Sequence, residues 1–132
     1  MGIDYNRVNI IAAVLERKGG INLSNYDIYV NVVGGIRLLE TAADLSLAAS
    51  MAGSFLDIPI KAGVVVFGEI GLAGEVRGVS QGAQRIAEAK KLGFSKVVVP
   101  HKNAEEPGLP KGIEVKGVRN VRDLIETLFE KK

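Results

Sequence analysis

Two serines and a single histidine are the side chains whose spacing first suggests nucleophilic catalysis. Ser46 and Ser50 lie four residues apart in the Ala-rich segment 42–55, so a helix would place both hydroxyls on one face. A serine nucleophile needs a neighbouring base, and His101 is the one histidine of the chain, which has no cysteine. The sequence therefore excludes thiol nucleophiles, disulfides and zinc–thiolate sites.

Each potentially catalytic side chain also has a structural interpretation, which we favour. Buried helical serines usually donate to the carbonyl four residues back, and we expect this of both. Glu69 and Glu75 could form an acid–base pair, but we expect them to bind turn amides or to pair across strands. The negative charge of Asp44 would be stabilised by the positive end of the helix dipole, or the side chain would face a neighbouring subunit. His101 follows Pro100 at a strand-to-loop junction, where we expect a surface position.

The pattern of apolar residues predicts one α/β domain. Turns that contain glycine or proline separate the segments, and a tight turn joins strands 64–70 and 75–79, with Gly71 and Gly74 in unusual backbone angles. Residues 101–112 are predicted to form a surface loop. The predicted helices are 4–19, capped by Asp4, then 42–55, 81–92 and 121–129, and the predicted strands are 27–33, 64–70, 75–79, 96–100 and 113–118.

The composition is that of a folded, water-soluble chain. Its 132 residues are enough for one domain, and 47% of them are hydrophobic. No apolar run approaches the ~20 residues that cross a bilayer, and the first helix carries too many charges for a secretory signal. We therefore expect a cytoplasmic protein with no membrane partner.

The positive charge of the chain is concentrated in one segment. Residues 1–75 carry five basic and eight acidic side chains, residues 76–102 carry six basic side chains and one acidic, and residues 103–132 carry six of each. An anionic partner would be attracted to 76–102. The alternative is a solvated helix face with lysines at a strand edge.

The segment 67–79 and its flanking helices resemble the proteolytic domain of the Lon family. This segment reads Phe-Gly-Glu-Ile-Gly-Leu-Ala-Gly-Glu-Val-Arg-Gly-Val. In that family a serine from the helix before the segment is activated by a lysine from the helix after it. The serine position falls on Ala42 and the lysine position on Arg85.

The resemblance is greater to the C-terminal Lon-like domain of the bacterial RadA/Sms DNA repair family. It extends over about 4–100 and includes the opening Gly-Ile-Asp-Tyr-Asn-Arg-Val and the run Val-Asn-Val-Val-Gly-Gly-Ile-Arg. It implies a two-layer α/β fold of the Lon proteolytic type, related to ribosomal-protein and GHMP-kinase folds. It also implies that 1–132 is a single-domain fragment of a longer protein. A strand before Asp4, the zinc finger and the ATPase core would lie elsewhere, together with the sites for Zn, ATP and Mg, so no cofactor is expected here.

The residues at the two family positions argue against peptidase activity. Ala42 has no nucleophilic atom, and the guanidinium of Arg85 keeps its proton at ordinary pH and cannot act as a base. We therefore expect a non-enzymatic domain. An active Lon-like serine peptidase that uses Ser46 or Ser50 remains an alternative.

Binding and assembly are the functions that remain. The resemblance implies a homo-hexameric ring in which these domains line a channel, and lysines and arginines would contact the DNA backbone without sequence preference. A module that binds only protein is a further alternative. The candidate DNA-binding residues are Arg37, Arg77, Arg85, Lys90, Lys91 and Lys96.

Overall fold

The computed structural model describes residues 5–20 and 41–129, with side chains from Asn9 onward in the first helix and from Ala42 onward in the second part. The predicted strand 27–33 and Arg37 lie outside the described residues. The helices are α1 (Tyr5–Lys18), α2 (Asp44–Leu56, preceded by a 3-10 turn at Thr41–Ala43), α3 (Gly82–Lys91), α4 (His101–Ala104) and α5 (Val121–Phe129). The strands are β1 (Val64–Val66), β2 (Glu69–Ile70), β3 (Val76–Arg77), β4 (Lys96–Pro100) and β5 (Glu114–Val118).

A parallel three-stranded sheet lies at the centre of the fold, in the order β1-β4-β5. The register aligns Val66 of β1 with Val98 of β4, and Val98 with Lys116 of β5. The central strand contains Val97, Val98 and Val99, all fully buried. A continuous apolar run is typical of a parallel strand covered on both faces.

Alternate residues of β4 serve two separate cores. Val98 packs with Val66 and Val118 against α1, α2 and α5, whereas Val97 and Val99 pack against α3. Side chains alternate between the faces of a strand, so one strand joins both cores. The α/β class is therefore confirmed, and the described part has helices on both faces of the sheet, not the two layers that the resemblance implies.

The predicted strand 64–70 is divided at Gly68. The N–H of Gly68 donates to the carbonyl of Ala42 at 2.8 Å, and its own carbonyl accepts from the N–H of Leu45 at 2.9 Å. These bonds draw the chain out of the sheet towards the start of α2. A Cβ at Gly68, where φ is +156°, would lie 3.0 Å from the side chains of Leu45 and Pro100. A side chain here would require both neighbours to shift and a backbone angle that L-residues rarely adopt, so the site favours glycine.

The second half of the predicted hairpin is also shorter than expected. β2 and β3 form a separate antiparallel pair, with Glu69 opposite Arg77, so the predicted strand 75–79 is reduced to two residues. Gly74 has the expected positive φ, +86°. The prediction for Gly71 was wrong, since its φ is not positive and its N–H donates to the Glu75 carbonyl at 2.9 Å.

The remaining predictions differ from the structure mainly at element ends. Strand 96–100 and helix 121–129 are confirmed, and the other helices and strand 113–118 shift by one or two residues. The predicted loop 101–112 is wrong at its start, where α4 forms. There Asn103 is 1% exposed, and its side chain accepts from the N–H of Val79 and donates to the carbonyl of Val79, both at 2.9 Å. Asn103 thus holds the β3–α3 connection against α4.

Candidate functional site

The two predicted dyad positions both contact the segment Phe67–Gly68. Ala42 is 5% exposed, and its carbonyl accepts from the N–H of Gly68. The Arg85 guanidinium lies over the Phe67 ring, 5.9 Å from the ring centre, and its Nε donates to the carbonyl of Ser80 at 3.0 Å. The site thus offers a methyl group and a bound guanidinium where a dyad would need a hydroxyl and an amine.

The two helical serines differ from our expectation. Ser46, half-buried, donates its hydroxyl to the carbonyl of Val66 and thereby ties α2 to β1. The carbonyl four residues back, at Ala42, accepts instead from Gly68. Ser50 is exposed, so the expectation of a buried serine was wrong there.

Asp44 anchors the hairpin to the start of α2. Asp44 is 2% exposed, and its carboxylate accepts from the N–H of Ile70 at 3.0 Å. Asp44 lies in the first turn of α2, where the helix dipole stabilises a negative charge, as expected. The bond to β2 was not predicted, because the two residues are far apart in sequence.

Glu69 and Glu75 flank Arg77, as expected for turn-binding and cross-strand carboxylates. Glu75 accepts from the N–H of Ala73 at 3.1 Å and from the Arg77 guanidinium at 2.8 Å, and Glu69 lies 3.8 Å from the same guanidinium. A hydrogen bond from its own N–H, followed by the hydrogen bond from Arg77, lowers the pKa of the Glu75 carboxyl below its usual value. Both interactions favour the ionised form.

Two of the proposed DNA-binding cations are paired with carboxylates. Arg77 is shared by Glu69 and Glu75, and Lys96 lies 3.7 Å from Glu114, its neighbour in the β4–β5 register. These carboxylates all lie outside the basic segment 76–102. They reduce the positive charge that a count along the sequence assigns to it.

Among the proposed cations that the structure describes, Lys90 and Lys91 have the most open surroundings. Both are exposed in the last turn of α3, and within residues 5–20 and 41–129 no carboxylate pairs with either. They line a groove of about 490 Å³ together with Gln84, Ala87, Glu88 and Pro110. A positive charge at the C-terminal end of a helix interacts favourably with the helix dipole, which stabilises the helix by about 0.3–1 kcal/mol for each lysine. This structural role is compatible with binding.

A second group of basic residues was missed by the sequence analysis. The guanidinium Nη2 of Arg119 lies 3.0 Å from Nε2 of His101, and Lys102 follows His101 on α4. These residues come together because β4 and β5 pair in parallel, which brings the residues that follow both strands to the carboxyl edge of the sheet. The sequence analysis predicted both strands but not their pairing.

Membrane spans and metal sites are both absent from the described part of the chain. No helix in 5–20 or 41–129 is long and apolar enough to cross a membrane. In the same ranges no three His, Asp or Glu side chains are grouped as metal ligands.

The sequence of this α/β fold matches a known protein family. Residues 4–103 match the family described as subunit ChlI of Mg-chelatase. Since the match covers most of the chain, the chain belongs to this family.

Curated relatives of the chain are called DNA repair protein RadA. The chain is 50% identical to the protein of Halalkalibacterium halodurans, and this alignment covers 95% of the chain. It is 48% identical to the Bacillus subtilis protein over 96% of the chain, and 44% identical to the Escherichia coli protein over 95% of the chain. It spans 27–28% of the length of these relatives. Similarity to RadA proteins is thus confirmed, and the Lon-like assignment stays a prediction.

Proposed function

We propose that this chain is the non-catalytic, Lon-like C-terminal domain of a RadA-type DNA repair protein, and that it contacts the DNA backbone within a ring of subunits. The repair role is supported by relatives named DNA repair protein RadA, which match 95–96% of the chain at 44–50% identity. The observation that carries the DNA contact is the open pair of lysines at the end of α3.

The Lys90–Lys91 groove has the chemistry of a backbone contact. Ammonium groups bind phosphate oxygens as point charges and read no sequence. Glu88 lines the same groove, so the net local charge is modest and binding would be weak and strongly salt-dependent. A ring would multiply such weak contacts, because each subunit adds its own groove.

The non-catalytic part of the proposal is supported by the chemistry at the two dyad positions. Ala42 offers no nucleophile, and the Arg85 side chain is engaged with Phe67 and the Ser80 carbonyl. The Ser46 hydroxyl donates to a strand carbonyl, which makes it part of the α2–β1 contact. Activation of Ser46 would require this bond to break.

Ring assembly is supported by an exposed apolar side chain at the tip of the β2–β3 hairpin. Leu72 is 75% exposed, in a turn next to the Glu75–Arg77 ion pair. A closed ring requires two different complementary faces on each subunit, and the hairpin tip is our candidate for one of them. Leu72 also favours the second candidate function, a module that binds only protein.

Charge reversal tests the DNA contact. We expect Lys90→Glu/Lys91→Glu to weaken binding of a fluorescent duplex and to reduce the slope of log affinity against log salt by roughly two, one for each phosphate contact. The matched control is Arg17→Glu/Lys61→Glu, which reverses two exposed charges outside 76–102 and should retain more affinity. Equal losses in the two variants, or none, would refute the groove as the contact. A chain that binds no DNA at low salt would favour the protein-only module.

A further inference from the structure

His101, Lys102 and Arg119, which we call the strand-end cluster, meet where two parallel strands end. β4 ends at Pro100 and β5 at Val118, and these two residues are register partners. The residues that follow are brought together at the carboxyl edge of the sheet, where α/β proteins commonly bind ligands. None of the three belongs to the groove at the end of α3.

The contact between Arg119 and His101 fixes the donors of the cluster. Arginine has no acceptor atom, so Arg119 is the donor of the 3.0 Å contact with His101 Nε2. Arg119 keeps its other N–H groups for a ligand. Its side chain is exposed, so these groups are accessible from solvent.

Two glycines make room for the cluster. A Cβ at Gly78 would lie 3.2 Å from Cδ of Lys102, and a Cβ at Gly117 would lie 2.9 Å from Cα of His101. The Lys102 stem therefore lies along the β3–α3 connection, and His101 lies against the backbone of β5. The backbone of Arg119 is fixed as well, since its carbonyl accepts from the N–H of Val76 at 2.8 Å.

The nearby carboxylates are already engaged. Asp123 accepts from the N–H of Arg119 at 3.0 Å, in the cap of α5, and Glu106 accepts from the Asn103 side chain. In the described ranges no carboxylate forms an ion pair with the side chains of Lys102 or Arg119. The cluster therefore has two cationic groups with unused donors and one imidazole.

We infer that the strand-end cluster binds a phosphate group, and that this phosphate belongs to the DNA backbone. The inference rests on the proposed function, which it deepens by adding a second contact at a different place. The Arg119 guanidinium, which contacts His101, and the ammonium of Lys102, the next residue after His101, both donate to phosphate oxygens. The cluster and the Lys90–Lys91 groove would then be separate contacts of one domain.

The single histidine of the chain makes the test direct, because an imidazole NMR signal can come only from His101. We would titrate the chain with a short duplex and, separately, with inorganic phosphate. We expect the His101 signals to move to saturation in both titrations. Lys102→Gln and Arg119→Gln should each weaken duplex binding several-fold and lower the salt slope by about one, and Lys61→Gln is the matched control.

The possible outcomes separate this inference from the proposed function. If the duplex binds both cluster variants as tightly as the wild type and the His101 signals do not move, the cluster is refuted while the Lys90–Lys91 groove stands. Movement with inorganic phosphate but not with duplex would identify a site for free phosphate or a nucleotide and overturn the DNA assignment. A chain that binds no duplex at low salt refutes both the proposed function and this inference.

Discussion

The guanidinium of Arg85 lies over the ring of Phe67, with its carbon 5.9 Å from the ring centre. The next residue, Gly68, donates its N–H to Ala42. The two positions that the Lon resemblance assigns to a catalytic pair therefore meet on one short segment, and both serve there as packing and hydrogen-bonding groups. This relationship leads to our first two predictions.

Arg85→Ala should destabilise the domain by about 1–2.5 kcal/mol. The loss combines a cation–π contact of about 0.5–1 kcal/mol with the hydrogen bond to the Ser80 carbonyl, about 0.5–1.5 kcal/mol. Urea unfolding measures the change, and Gln84→Ala, at an exposed neighbour on α3, is the control. If the two variants are equally stable, the Arg85 contacts contribute nothing.

The wild-type chain should not react with a serine-directed phosphonate. Ala42 cannot be labelled, the Ser46 hydroxyl is bonded to the Val66 carbonyl, and Ser50 is an exposed serine on the surface of α2. Mass spectrometry of the treated protein measures labelling. A stoichiometric adduct that disappears in Ser46→Ala or Ser50→Ala would show an active peptidase and contradict the account.

Asn103→Ala should destabilise the domain by about 2–3 kcal/mol, because it leaves the N–H and the carbonyl of Val79 without their partner. Asn120→Ala is a useful comparison, since it removes the hydrogen bond that the Asn120 side chain accepts from the N–H of Asp123. This loss should cost about 1 kcal/mol, as for other helix caps. Thermal or urea unfolding compares the two. A smaller loss at Asn103 than at Asn120 would contradict the role of Asn103 in holding the β3–α3 connection.

The hairpin should lose stability in acid because of Glu75. Hydrogen bonds from its own N–H and from Arg77 lower the pKa of this carboxyl in the folded state. The stabilisation is therefore complete above the usual glutamate pKa and disappears as the pH falls through the lowered folded value. The difference in unfolding free energy between the wild type and Glu75→Gln should shrink over that range. A difference that is constant with pH would rule out this ionic contribution.

Local sequence signals predicted those elements whose own pattern of apolar residues is enough to identify them. The Val-Val-Val run of 96–100 and the apolar face of 121–129 were predicted correctly because their patterns are typical of a buried strand and an amphipathic helix. The break at Gly68 was not predictable in this way. It depends on bonds to Ala42 and Leu45, which only the tertiary fold brings near.

The same limit applies to the candidate site. A count along the chain finds the basic segment 76–102, but the sheet pairings put Glu69 opposite Arg77 and Glu114 opposite Lys96. The strand-end cluster was missed because it joins residues from two strand ends. By contrast, Lys90 and Lys91 are sequence neighbours on an exposed helix turn, and their exposure follows from the helix pattern alone.

The salt dependence of duplex binding by the whole chain tests the central claim most directly, with light scattering on the same samples to give the number of subunits. The account predicts that the chain binds a fluorescent duplex at low salt, and that log affinity falls linearly with log salt by about 0.9 for each phosphate contact. It also predicts assembly beyond the monomer. A monomer without duplex affinity at any salt concentration would contradict a role in ring assembly and DNA contact.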